Sequence, residues 1–337
     1  MSTYNNQRRR KKPYKVKIRY DRVIGALAIL IVLIILLVSC VKSCGSDDSS
    51  DDESSIVPTE SKSDSVEKEK EESADSKAAA LDNYSTVTVI PGAVYEGNLI
   101  LVNKDHSYSF PATAEENIVP VYENCTDSYQ YADLEVSLTK DTITALNALM
   151  DKFYETKKIN DCIVISGFRT KEYQDQIYEL GTTDITGGCS DYHTGLSFDL
   201  GIYPADEEQS SYFYVPNDDY SWVNENCAKY GFILRDPEGK EDKTGVEAKS
   251  YTFRYVGIPH AICMSENNLC LEEYIDFVKN YTYDGDHLTV AGPEKNYEVY
   301  YVPAKPGADT DVPIPSDKTY TISGNNIDGF IVTVELS

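Results

Sequence analysis

An α+β domain is what the middle and end of this chain predict, and three observations carry that prediction. Apolar residues recur at helical spacing, with Ile143, Leu146, Leu149, Met150 and Phe153 forming one stripe. Short β-prone runs such as residues 162–166 and 232–235 stand between the helical stretches. Turn-forming clusters, among them Pro91-Gly92 and Asp236-Pro237-Glu238-Gly239, punctuate both kinds of segment.

Ahead of that domain the composition changes twice. Residues 1–22 form a basic tail containing Arg8, Arg9, Arg10, Lys11 and Lys12. An uncharged apolar run over 23–41 follows, and its nineteen residues match the length of a single bilayer-spanning helix. The basic flank precedes the run and an acidic flank follows it, which places the N-terminus in the cytoplasm and the later domain outside the cell membrane. Leu37-Val38-Ser39-Cys40 also fits a lipoprotein signal, which would tether the same domain through a lipidated cysteine. Residues 45–83 are rich in Ser, Asp, Glu and Lys and too poor in apolar surface to offset their chain entropy. They are expected to be a disordered acidic linker, extended by its own charge. The whole chain of 337 residues carries a formal charge of −25, which excludes a phosphate-neutralising nucleic-acid partner.

In order along the domain, residues 86–90 and 98–102 read as short strands. Thr139 is positioned to cap a helix that carries the apolar stripe and ends near Thr156. The strand at 162–166 runs into Gly167-Phe168-Arg169, and the next helix is capped by Thr170 and stopped at Gly181. An acidic, Tyr-rich loop over 203–220 leads to a helix capped by Ser221 and stopped by Gly231, with Trp222 expected to serve packing. Leu271, Tyr274, Ile275 and Val278 share one face of a final helix over 271–280. These elements make up a domain over 84–280. Residues 281–337 then form a small β appendage, with β-prone runs at 297–302, 320–323 and 330–336. Its tyrosines suit either sheet packing or stacking on sugar rings. Two readings of the outer cysteines stand open: disulfides, with Cys263 and Cys270 closing a short loop, or free thiols.

Three motifs bear on chemistry: Ser166-Gly167-Phe168-Arg169, the stretch from Ser190 to Asp199, and Tyr251-Thr252-Phe253-Arg254-Tyr255-Val256-Gly257. In this order they resemble the VanY-like D-alanyl-D-alanine carboxypeptidases, zinc enzymes that trim bacterial cell-wall peptides. The resemblance covers roughly residues 95–280 and implies a mostly antiparallel sheet flanked by helices. The family's first metal motif reads Ser-x-His-x-x-Gly-x-Ala-x-Asp. Ser190, Gly195 and Asp199 fall into its register, so Tyr192 occupies the histidine ligand position. The second motif, Glu-Pro-Trp-His, falls on Lys249 to Thr252. Lys249 then replaces the catalytic base and Thr252 the third ligand, leaving Asp199 as the remnant of the metal site.

Catalytic zinc needs about three protein ligands and an open position for water. A phenol and a threonine hydroxyl are neutral at ordinary pH and do not replace imidazoles, and a lysine brings a cation where the metal would sit. No cofactor is therefore predicted. His193 lies next to the lost ligand, but in an extended segment it faces away from Asp199. Arg169 has the planar fork that suits a peptide carboxylate, with a local acid as the competing partner, and the resemblance adds Gln174 and Ser190 to the substrate-binding positions. Lys249 is expected to pair with Asp199 in place of zinc. The resulting reading is a membrane-anchored extracellular relative that binds peptidoglycan stem peptides without cutting them. One alternative is an active zinc D,D-carboxypeptidase with ligands rearranged around His193 and Asp199. Another is a surface scaffold whose groove is empty.

Overall fold

The computed structural model describes residues 83–203 and 212–336. The basic tail, the apolar run and almost all of the acidic linker lie outside the described residues, as does most of the first half of the Tyr-rich loop. Among the described residues, no helix is long and apolar enough to cross a membrane.

The sheet that carries the three motifs is built from β3 (Gln130–Tyr131), β5 (Cys162–Ser166), β6 (Ser197–Ile202), β9 (Thr252–Tyr255) and β8 (Phe232–Leu234), in that spatial order, with β7 (Tyr212–Phe213) also paired to β6. Only the β3–β5 pair is parallel; the other pairs are antiparallel. A separate ladder joins β2 (Ile118–Pro120) to β4 (Ser137–Thr139). Against the sheet lies α1 (Lys140–Lys157), whose N-terminus is capped by the Thr139 hydroxyl accepting from the Thr142 N–H at 3.2 Å. Its buried face is the predicted stripe, joined by Thr142. Each of those large side chains contributes roughly 1.5–3 kcal/mol by leaving water. Phe153 meets Trp222 at 5.8 Å between ring centroids, so the single tryptophan, half-buried, packs against the core as expected.

Helix α2 (Lys171–Glu179) is capped by Thr170, and Gly181 follows with φ 69°. Helix α3 (Ser221–Asn226) starts one residue earlier than the sequence suggests. Ser221 is its first residue, and its hydroxyl donates to the Asp218 carbonyl instead of capping. Helices α4 (Ile258–Asn267) and α5 (Leu271–Val278) follow, with Leu271, Tyr274, Ile275 and Val278 buried.

The run at 98–102 is not a strand. Leu99, Ile100, Leu101 and Val102 are buried in an irregular segment, and side chains satisfy its backbone. Arg254 donates to the Asn98 and Ile100 carbonyls, Arg235 to Val102, and Asn326 to Leu101. Hydrophobicity alone cannot distinguish such a segment from a buried strand.

Beyond α5, the runs read as β-prone lie in β11 (Asn296–Pro303), β13 (Tyr320–Gly324) and β14 (Gly329–Leu336). With β10 (Leu288–Ala291) these form a sheet in the order β10-β11-β14-β13. The strand β12 (Thr310–Pro315) pairs antiparallel with β1 (Tyr84–Val89). Val290, Val299, Tyr301 and Ile331 from this sheet share one hydrophobic cluster with Leu99, Leu101 and residues of α4 and α5. All six cysteines of the described residues are unpaired, and Cys263 and Cys270 are buried thiols.

His260 ties these parts together, meeting the Tyr274 hydroxyl at 2.7 Å and the Thr333 hydroxyl at 2.9 Å. Burial lowers its pKa to about 3, so the folded chain holds a neutral ring while the unfolded chain takes up a proton near its ordinary value of about 6.5. The associated stability is complete above that value and is lost progressively as pH falls toward the folded pKa. Urea unfolding of wild type and His260→Gln at about pH 7 and about pH 4.5 is expected to show wild type losing roughly 2–3 kcal/mol more on acidification.

Candidate functional site

Strand register assembles the centre of the site. Asp199 on β6 stands opposite Ser166 of β5 on one side and Thr252 of β9 on the other. Both neighbours donate to it: Ser166 Oγ to Oδ2 at 2.6 Å and Thr252 Oγ1 to Oδ1 at 2.7 Å. A third donor comes from the turn before β6, where the Tyr192 hydroxyl reaches Asp199 Oδ1 at 2.5 Å. Burial, and next the Asp199 charge, push the Tyr192 phenol well above its ordinary pKa, so it keeps its proton and donates. Asp199 is only 7% exposed, and three hydroxyls supply the charge-assisted hydrogen bonds that a buried carboxylate requires.

The turn itself is a 3-10 helix over Asp191–Thr194, closed by Gly195 at φ 66°. The left-handed backbone angle calls for glycine, and a side chain there would also crowd the tip of Ile118 and Thr139. Because the segment is a turn rather than the expected extended strand, successive side chains fan out instead of alternating. Tyr192 faces Asp199, while His193 meets the Arg169 carbonyl through Nδ1 at 2.6 Å and accepts from the Gly188 N–H through Nε2 at 3.0 Å. Burial lowers the His193 pKa, consistent with a neutral ring that donates from Nδ1 and accepts at Nε2. Tyr108 and Phe110 lie against the same ring.

The zinc that the family resemblance implies does not fit these residues. Three O–H groups point at the one remnant carboxylate, and both nitrogens of the nearest histidine already have backbone partners. Among the described residues, no group of three His, Cys, Asp or Glu side chains is placed to hold a metal.

Lys249 does not pair with Asp199. Its ammonium lies 3.4 Å from Asp236 Oδ2, and its backbone N–H donates to the Asp236 carbonyl. Asp236 is buried, and burial raises its pKa against the opposing pull of Arg235 and Lys249. The lysine thus answers an acid that needs a cation, whereas Asp199 is already matched by hydroxyls.

Asp236 belongs to a larger charge network. Arg235 is 2.7 Å from Glu272 and 3.5 Å from Asp191. Arg254, fully buried, reaches Asp191 at 2.5 Å, and Ser197 also donates to that carboxylate. Burial alone would raise the Asp191 pKa, but Arg254 and Arg235 outweigh it and hold it below the ordinary value. This network anchors the turn that presents Ser190 and Tyr192.

Arg169 lies on the other side of Tyr192, its guanidinium carbon 3.8 Å from the ring centroid. Its Nη1 donates to Gln174 Oε1 at 3.3 Å, and Gln174 in turn donates to the Ile185 carbonyl at 2.8 Å. No acid among the described residues forms an ion pair with Arg169, so the competing local partner considered from the sequence is absent there. Ser190 is 1% exposed and its hydroxyl has no partner among the described residues. The structure therefore brings Tyr192, Thr252 and Asp199 together with Arg169, Gln174 and Ser190 nearby, and separates Lys249 and His193 from Asp199. Sequence reasoning missed the donor role of Ser166 and the network of Asp191, Arg235 and Arg254. The usable signal for the first was the Ser166 hydroxyl itself, at the end of an expected strand in the first of the three motifs.

A model of the family described as VanY, D-alanyl-D-alanine carboxypeptidase, matches residues 135–258. A D-alanyl-D-alanine carboxypeptidase of Enterococcus faecium is 30% identical over 256 residues, spanning 75% of this chain and 80% of the relative. This chain belongs to the VanY-like D-alanyl-D-alanine carboxypeptidase family. A further relative is the bifunctional D-Ala-D-Ala dipeptidase and D-Ala-D-Ala carboxypeptidase VanXYC of Enterococcus gallinarum, 29% identical over 129 residues that make up 35% of this chain and 68% of the relative. In three dimensions the chain is similar to the vancomycin-resistance D,D-dipeptidase VanXYg, solved in complex with a D-Ala-D-Ala phosphinate analogue. The TM-score is 0.65 at 30% identity, covering 75% of this chain and 99% of VanXYg.

Removing one donor from Asp199 exposes the dependence of this VanY-like centre on its hydroxyls. Tyr192→Phe and Thr252→Val are each expected to lower unfolding free energy by about 1–3 kcal/mol in urea titrations, because the buried carboxylate loses a partner without gaining water.

Proposed function

We propose that this chain is a membrane-anchored, extracellular and non-catalytic member of its family, which binds peptidoglycan stem peptides ending in D-Ala-D-Ala. The observation that carries the reading is a contrast within one site. Asp199 is met by three hydroxyl donors, from Tyr192, Thr252 and Ser166, while the Arg169 fork and the Ser190 hydroxyl keep open valences.

Hydrolysis of a peptide bond needs an activated water and a base within reach of it. At the position of the family's base stands Lys249, a cation committed to Asp236. At the positions of the two histidine ligands stand Tyr192 and Thr252, which direct protons at Asp199. Binding asks for less. A terminal carboxylate is matched by a guanidinium whose plane is fixed by stacking on Tyr192 and by Gln174. The buried Ser190 hydroxyl offers a further hydrogen bond that the protein itself leaves unused. The relatives' names and the D-Ala-D-Ala analogue bound to VanXYg support this ligand class. The anchor is supported by the apolar run at 23–41 with its basic and acidic flanks.

Calorimetric titration of the full chain with a stem pentapeptide ending in D-Ala-D-Ala is expected to show saturable binding with no release of D-Ala. Arg169→Met is expected to weaken that binding about 10–100-fold, the effect of losing a charged hydrogen-bond pair. Release of D-Ala by wild type, or no binding at all, would overturn the proposal.

A further inference from the structure

A cavity lies away from Asp199, where the far end of β9 meets the C-terminal sheet. It has a volume of ≈ 310 Å³ and is bounded by Gly257 to His260 on one side and by β13 with Thr333, Glu335 and Tyr297 on the other. That volume is at the small end of the roughly 300–1,000 Å³ found for ligand pockets.

Strand register explains its chemistry. Thr321 stands opposite Thr333, and Tyr297 opposite Glu335, so these side chains come from one face of the sheet. The hydroxyls of Thr319, Thr321, Tyr255 and Tyr297 have no hydrogen-bond partner among the described residues. Thr333 is held by His260, and Glu335 binds Lys295 at 2.7 Å through one carboxylate oxygen, leaving the other oxygen open. Glu335 and Lys295 offset each other, so the cavity favours a neutral ligand over an ionic one.

The outer edge of β13 adds main-chain groups. Gly324 and Asn326 donate to the carbonyls of Glu96 and Val94, both at 2.8 Å, so the segment at 94–96 covers the end of this edge. It turns away at Gly97, where a side chain would run into Ser323. The peptide groups of Ile322 and Tyr320 share the parity of Gly324 and therefore point outward beyond the covered part, along the cavity. From Tyr320 to Ile322 the open edge extends only about 7 Å. Adding a peptide strand relies on a longer row of main-chain bonds. A compact polyhydroxylated ring needs no such row, and can use Tyr ring surface together with several hydroxyls.

We propose that this cavity is a binding subsite for one ring of a neutral saccharide, with Tyr255 and Tyr297 supplying ring surface and phenols, and Thr321, Glu335 and the Ile322 peptide group supplying directional hydrogen bonds. The inference goes beyond the stem-peptide reading and uses different residues, so either can fail alone. Titration of the full chain with the neutral trimer of N-acetylglucosamine, followed by calorimetry, tests it. Wild type is expected to bind saturably, and the near-isosteric double variant Tyr297→Phe, Thr321→Val to bind about tenfold more weakly or worse. Glu335→Gln is a second variant should the first lose its fold, and it too is expected to weaken the sugar. Arg169→Met is expected to leave sugar binding unchanged while weakening the stem peptide. Absence of saturable sugar binding, equal binding by the folded cavity variants, or displacement of the sugar by an unrelated extended peptide would each overturn the proposal.

Discussion

A carboxylate taken out of water has to be met by a cation or by donors, and around Asp199 the donors are three hydroxyls. Their placement follows from the sheet. Ser166 and Thr252 flank Asp199 on neighbouring strands, and Tyr192 reaches over from the preceding turn. Altering those residue types would leave a buried charge short of partners at a cost of about 1–3 kcal/mol per lost bond. The same donors occupy most of the acceptor positions through which Asp199 would hold a metal. One set of bonds thus both satisfies the buried carboxylate and disfavours a metal beside it.

The turn that carries Tyr192 depends on a second buried electrostatic feature. Asp191, Asp236 and Glu272 are opposed by Arg254, Arg235 and Lys249, so the network is balanced in formal charge. Arg254 and Arg235 also donate to carbonyls of the irregular run at 98–102. The network thereby links the turn, two strands of the central sheet, α5 and a segment that borders the cavity beside β13. Removing one member of such a set strands its partner, an effect on the order of 3–5 kcal/mol. Lys249 joins this network through Asp236, which explains how a partly buried lysine is accommodated there.

Much of this was legible in the sequence, and what was not has identifiable causes. Helix α1 and its Thr139 cap follow from periodicity and capping chemistry, which are local. The motif register placed Tyr192 and Thr252 beside Asp199, because strand neighbours keep their spacing when side chains change. The destination of Lys249 was missed, since it depends on the burial of Asp236, a tertiary property. Residues 98–102 read as a strand because their apolar pattern is the same whether strands or arginines satisfy the backbone. Strand β12 escaped notice for another reason: Pro313 and Pro315 argue against a strand, yet it pairs on one side only, with β1, where prolines are tolerated.

The central claim is that hydroxyl donors stand where the family's zinc ligands would, and elemental analysis tests it most directly. Purified chain, dialysed against zinc and then against metal-free buffer without chelator, would be measured beside the variant Tyr192→His, Lys249→Glu, Thr252→His. The account predicts zinc far below one ion per wild-type chain and a clear gain in the variant, whose imidazoles can join Asp199 as ligands. Stoichiometric zinc in the wild-type chain, lost on Asp199→Asn, would contradict it.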